Sequence, residues 1–296
     1  MSILKKLFIT DWLMLCYILF FVVWVIIGRD VIESPAILLL KIFGILFFIF
    51  IIITLDHYTK NTLVKFIRYW YPIILLEFFY VTTTLVQHVI FKDIIDPIFQ
   101  NLDEMIFGYQ PSLVWGTTYN QFIVQEFFHF AYFSYYLMIF GIPFYIYLKK
   151  GKKLFIRALF NILFVFLACY VLFMILPVVG GRALEGAKDI TETYRHGLFT
   201  HIMVFVYKSA PHWGAAFPSS HVAVALTITL VSFRFFKSFS ILLLVNTFFL
   251  SISTVFCHYH YFVDVVAGIM FGLLMFFISE IIYAIFGFKQ EKYIDI

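Results

Sequence analysis

The chain is poor in charge: 13% of its 296 residues are Asp, Glu, Lys or Arg, against 63% that are hydrophobic. Such a balance excludes a disordered polar segment and leaves too little polar surface for a soluble globular domain of this size. Cysteine is scarce as well. Cys16, Cys169 and Cys257 lie in or beside apolar runs, an odd and scattered set that supplies no disulfide framework. Glycine and proline, 14 and 8 residues, build no low-complexity linker, and no internal repeat or second domain is visible. The net charge of +4 sits in short basic clusters beside apolar runs, a pattern of membrane topology rather than of a nucleic-acid surface. No nucleic-acid partner is expected.

What the chain has in abundance is apolar and aromatic. Phe contributes 41 residues and Tyr 19, which suits lipid-facing surfaces and interfacial belts. A bilayer core of about 30 Å needs about 20 apolar helical residues. Eight segments approach that length, at 12–28, 36–55, 70–90, 120–148, 154–176, 221–236, 238–257 and 261–286, the sixth being the shortest. The predicted fold is therefore all-α: a polytopic integral membrane bundle of about eight transmembrane helices, one domain over residues 1–296. Lys5 and Lys6 before the first run resemble a signal peptide, but "GRDVIESPA" after it lacks a small-x-small cleavage pattern, so the first span is expected to be retained.

With the N-terminus in the cytoplasm and sides alternating, most basic residues face inward, including Lys60, Lys65, Arg68 and the run Lys149, Lys150, Lys152 and Lys153. Arg29, Lys92, Arg182, Lys188, Arg195 and Lys208 face outward. The positive-inside bias favours this arrangement, with both termini cytoplasmic. Two outward connections are long. In "DPIFQNLDEMIFG", Asp96 is placed to cap a helix and Pro97 fits its first turn, while Ile98, Phe99, Leu102 and Ile106 recur on one face. The pattern fits a helix lying in the outer interface, or equally a loop helix packed on the bundle. The second connection, 178–220, carries Gly180, Gly181 and Arg182 and ends in "GAAFPSSH".

The chemistry-bearing residues collect at the outer ends of two spans. "FPSSH" opens the sixth, and "HYHYFVDVVAG" opens the eighth with His260 and Asp264 four residues apart. Four residues is one helical turn, so the Asp264 carboxylate is expected to hold one nitrogen of His260 and leave the other as nucleophile or base. Pro218, Ser219 and Ser220 read as the capping turn of the sixth helix, whose free N–H groups and positive dipole end suit a phosphate. His221 in that turn is placed to protonate a departing alkoxide, while Arg182, with Lys208 or Arg195, neutralises phosphate oxygens. On the fourth span Gln125, His129, Tyr132 and Tyr136 recur at helical spacing beside Glu126. Glu126 and His129 read either as contacts to a substrate head group or as interhelical hydrogen bonds.

"AFPSSHVA" and "HYHYFVDVVAG" resemble the second and third signature motifs of the type 2 phosphatidic acid phosphatase superfamily, integral membrane enzymes acting on lipid phosphates. The closer resemblance is to its inositol phosphorylceramide synthase-like branch, in which a "FPSxH" element precedes a "HHYxVD"-type element by one span. The resemblance covers residues 178–286 and implies a six-helix phosphatase-like core. It also implies that His260 forms a phosphohistidine, with Asp264 orienting it and His221 acting as general acid, and with no metal or organic cofactor. The phosphatase third motif carries Ser-Arg seven and six residues before the nucleophile, where this chain has Ser253 and Thr254. The first motif's lysine and Arg-Pro are absent too, and Arg182, followed by alanine, is similar only to a "GPR" element of the synthase-like branch. The implied activity is cleavage or transfer of a phosphate ester of a lipid, a dedicated head-group transferase being the alternative.

Two further readings compete. Cys257, His258, His260, Asp264 and His221 offer nitrogen, sulfur and oxygen donors for zinc or a transition metal, but their spacing on one helix does not converge and would leave the "PSS" turn unexplained. A transporter would use intramembrane His, Glu and Asp as a path, yet the matching halves of such folds are not found.

Overall fold

A computed structural model of the chain describes residues 7–187, 197–209 and 212–288. Lys188 and Arg195 lie outside the described residues. The described chain is helical, and we number its helices α1 (Ile9–Ile27), α2 (Pro35–Tyr58), α3 (Thr62–Val86), α4 (Asp96–Phe107), α5 (Pro111–Thr118), α6 (Phe122–Lys149), α7 (Lys152–Ile175), α8 (Leu198–Ser209), α9 (Ser220–Ser232), α10 (Lys237–Phe256) and α11 (Phe262–Ile282). Local chemistry sets several of the boundaries. Asn61 accepts the N–H of Leu63 and of Val64 at the start of α3, prolines open α2, α4 and α5, and α4 ends at Gly108 with φ +74°.

Seven of these helices are long and apolar enough to cross a membrane, which makes the chain an integral membrane protein. The sixth expected span differs. α9 has only 13 residues, about 20 Å of helix, and falls short of the hydrocarbon thickness on its own. It nevertheless sits at the centre, packed against α6, α7, α10 and α11. Its residues, SHVAVALTITLVS, are mostly small or β-branched and buried, so neighbours approach closely. On α11 the glycine pair Gly268 and Gly272, four apart, lies against Ser219 and Ala223. A Cβ at either position would stand 2.7 Å from backbone of α9, which only glycine avoids. Thr229 and Thr247 tie α9 to α10 at 2.9 Å.

α1 and α3 pack beside α7, and α2 packs on α1 and α3. The outer face of α2, with Leu40, Phe43 and Phe47, is exposed for lipid. Inside, Arg68 of α3 meets both carboxylate oxygens of Asp11 on α1, and the Tyr71 hydroxyl donates to Asp11 at 2.5 Å. Arg68 is 1% exposed, so it is a buried bidentate pair and not the free flanking charge its position in sequence implies. At the C-terminal end of α11, Glu280 accepts Arg157 of α7 at 2.7 Å and Arg234, from the turn after α9, at 2.9 Å. This ion cluster fastens the bundle at the end opposite the "FPSSH" turn.

The outward connections fold over that turn. α4 forms as expected, but Asp96 is its first residue and Ile95 the N-cap, so Asp96 does not cap its own helix. The buried face is Asp96, Phe99 and Asp103, whereas Ile98, Leu102 and Ile106 are exposed. The carboxylates turn inward because backbone donors of neighbouring segments await them: Val179 and Gly180 donate to Asp96, and Phe262 and Val263 to Asp103. α4 thereby clamps both the loop before Arg182 and the first turn of α11.

Candidate active site

Asp264 is the third residue of α11, and its Oδ2 accepts the Tyr261 N–H at 2.9 Å. This return bond caps the helix and turns the chain so that His260, one residue ahead of the cap, comes back over the carboxylate. His260 Nδ1 stands 3.3 Å from the same Oδ2. The pair thus meets as the four-residue spacing implied, although His260 lies in the preceding turn and not on a helical face. Thr254 O receives the His260 N–H at 3.0 Å and fixes that turn. The other ring nitrogen, Nε2, lies 3.3 Å from Ser219 Oγ.

Ser219 is the N-cap of α9, and its N–H donates to Asp264 O at 3.0 Å. One contact therefore joins the two motifs through backbone. Its side chain makes no capping hydrogen bond and faces His260 instead. The first N–H groups of α9, from Ser220 onward, have no acceptor within the helix and present its positive end. His221 follows in the same turn, with its ring centroid 5.7 Å from that of His260. Its Nε2 is 2.9 Å from the Tyr132 hydroxyl of α6, and its Nδ1 is buried without a partner. Tyr132 and Tyr135 flank the imidazole with centroids at 4.8 and 4.4 Å.

Arg182 reaches the site on a short turn, 181–183. Gly180 takes φ +87°, and a Cβ there would strike Tyr259 O, so the Gly180–Gly181 pair lets this loop lie directly on the 257–261 turn. Arg182 Nη2 donates to His212 O at 3.0 Å. His212 in turn stacks on Tyr80, with centroids 4.4 Å apart, and its Nε2 sits 2.9 Å from Thr83 Oγ1. Helix α3 thus supports the arginine through one residue.

The electrostatics follow from burial. His260 is held well below the ordinary histidine pKa, first by desolvation, then by the repulsion that a proton on His221 would exert and by the positive charge of Arg182. It is neutral at pH 7. His258 is pushed down to about 4, chiefly by desolvation and against the pull of the Ser112 carbonyl that its Nδ1 contacts. Its φ of +65° turns its ring away from His260 and onto α5. Desolvation also lowers His212 to about 4, and Arg182 adds to the shift.

The other sequence-predicted residues are placed differently. Glu126 Oε1 accepts the Thr200 N–H at 3.0 Å and Oε2 the Phe199 N–H at 2.9 Å, so this carboxylate caps α8. His129 Nδ1 contacts the Gln125 carbonyl one turn back at 2.8 Å. Lys208 is exposed near the end of α8. Cys257 is buried, and among the described residues no group of three or more His, Cys, Asp or Glu side chains is arranged to hold a metal ion. Asp103 and His212 carried no signal in the one-dimensional pattern. Tyr132 stood out only as part of a polar stripe.

A family model described as the PAP2 superfamily matches residues 99–278, from the first turn of α4 to the last turns of α11. No curated protein and no solved structure gives a significant match. The matched segment includes His221, His260 and Asp264 and extends well before the motifs, leaving α1 to α3 outside it. Matched over more than half its length, the chain belongs to the PAP2 superfamily, whose members are generally phosphatases or phosphotransferases.

Proposed function

We propose that the protein cleaves or transfers a phosphate ester of a lipid through a phosphohistidine on His260. The observation that carries this reading is the way His260 is held. Nδ1 is engaged by Asp264, Nε2 lies beside Ser219, the N-cap of α9, and the second imidazole, His221, stands 5.7 Å away. Nε2 attacks phosphorus as the ester P–O bond breaks. The α9 terminus, Ser219, Ser220 and Arg182 hold the remaining oxygens. The leaving oxygen takes its proton from His221. An incoming hydroxyl then gives a proton back to His221 and attacks phosphorus, and the N–P electron pair returns to His260. With water as acceptor the product is inorganic phosphate; with a lipid or polyol hydroxyl it is a new phosphate ester.

The absence of an arginine at Thr254 and of the first phosphatase motif favours the inositol phosphorylceramide synthase-like branch, and so a hydroxyl acceptor. Basic residues flanking the apolar helices favour cytoplasmic termini and a site on the opposite face of the membrane. The lipid tails stay in the bilayer while the phosphate enters from the side. Glu126 and His129 serve better as interhelical ties than as head-group contacts, since both Glu126 oxygens already accept backbone donors of α8.

The test is product analysis with purified protein and labelled lipid phosphates, with and without diacylglycerol, ceramide or inositol. Label is expected in inorganic phosphate or in a new ester, and to vanish in His260→Asn. Equal activity in both proteins overturns the reading.

A further inference from the structure

The residue that decides how His221 works lies on another helix. We infer that Tyr132 is a positioning residue for proton transfer: its hydroxyl oxygen accepts the His221 Nε2–H and so reserves Nδ1 for the proton exchanged with the substrate. This inference rests on the phosphohistidine reading above.

The geometry points to it from three sides. The Tyr132 hydroxyl is 2.9 Å from His221 Nε2, so one ring nitrogen is occupied before any substrate arrives. The other nitrogen, Nδ1, is buried and has no partner, an arrangement that costs stability and persists where a reacting group will use it. Tyr132 itself is completely buried, packed against Tyr259 with ring centroids 4.6 Å apart, and so cannot swing away. Tyr259 belongs to the turn that carries His260, which couples the position of the acid to that of the nucleophile.

A neutral imidazole bears one proton. With Nε2–H given to Tyr132, Nδ1 is the bare nitrogen of the resting enzyme. It takes up a proton when the phosphate monoester binds, either from the ester's own P–OH or from solvent, and becomes an imidazolium beside the dianion. As the P–O bond breaks, its electron pair goes to the leaving oxygen, which receives the Nδ1 proton. In the second half the acceptor hydroxyl returns a proton to Nδ1 while the N–P bond breaks. The Nε2–H bond to Tyr132 is kept throughout, so the ring never loses its orientation.

The experiment compares wild type, Tyr132→Phe and His260→Asn in detergent on a matched pair of substrates, an alkyl phosphate and a nitrophenyl phosphate carrying the same alkyl tail. Phenylalanine keeps the ring that packs on Tyr259 and His221 and removes only the hydroxyl. A poor alkoxide leaving group needs the acid; a nitrophenolate does not. Tyr132→Phe is expected to lower kcat/KM, which reads the first half-reaction alone, about 10- to 100-fold on the alkyl phosphate and less than about threefold on the nitrophenyl ester. An equal loss on both esters, or no loss on the alkyl ester, with His260→Asn inactive, overturns the role of Tyr132 alone. An active His260→Asn overturns the phosphohistidine reading and this inference with it.

Discussion

Replacing Gly268 by alanine tests whether the closeness of α9 and α11 sets the chemistry. The new Cβ would lie 2.7 Å from Ser219 O, 3.2 Å from Ser219 Cβ and 3.3 Å from Val222 Cβ. Carbon atoms in contact prefer about 3.5–4.0 Å, so the two helix starts must part by roughly 0.5–1 Å. Backbone cannot rotate out of the way as a side chain would. The overpacking costs about 1–3 kcal/mol, offset by up to about 1 kcal/mol from alanine's better helix propensity. The functional cost is larger, because Ser219 lies beside His260 Nε2 at 3.3 Å and His221 is two residues further along. A displacement of about 1 Å between reacting groups is worth about 100-fold in rate. Gly272→Ala, against Ala223 one turn deeper, should cost similar stability and less activity. Gly44→Ala on α2, with nothing within 4 Å of its Cβ, should leave activity unchanged and stability equal or slightly raised. Turnover and thermal unfolding of the three variants in one detergent provide the comparison. A Gly268→Ala protein within twofold of wild-type kcat would refute the reasoning.

Arg68→Ala strands the Asp11 carboxylate in the core and should cost about 3–5 kcal/mol, read as a fall in melting temperature, while paired replacement by Met at 68 and Leu at 11 should recover most of it. His212 and His258, neutral when folded with pKa values of about 4, gain protons on unfolding near the ordinary value of 6.5. Their contribution to stability is complete above about pH 6.5 and is lost as pH falls toward 4, by about 2 kcal/mol each at pH 5. Melting curves from pH 7.5 to 5 should show this slope, reduced in His258→Gln; a flat profile contradicts the burial of these rings. Glu126→Ala should weaken the docking of α8, lowering stability by about 1–3 kcal/mol with lipid preference unchanged; a changed preference among head groups with stability intact would restore Glu126 to the substrate site.

Hydropathy made the bundle legible, because long apolar runs have little choice but to span as helices. It overestimated α9, since residues 233–236 continue the apolar run but form the turn into α10. The pairing of His260 with Asp264 was legible as a spacing, and the meeting of "FPSSH" with "HYHYFVD" as a topology. What escaped was most of the contacts that polar groups make across the chain. Asp96 and Asp103, seven residues apart, share a buried face with Phe99, yet they bind backbone N–H groups more than 80 residues away, which no local periodicity records. Arg68 looked like an inward-facing flank charge because its partner Asp11 is 57 residues distant. His212 is set by Thr83 and Tyr80 of α3, a helix beyond the family match.

The most direct test of the central claim is to quench turnover of a lipid carrying radiolabelled phosphate and to look for label on the protein. The account predicts a covalent adduct that survives alkali and is released by acid, mapped to the peptide containing His260 and missing from His260→Asn. Label on another residue, or steady turnover with rapid quenching finding no adduct in wild type or in a variant slowed at its second step, would contradict it.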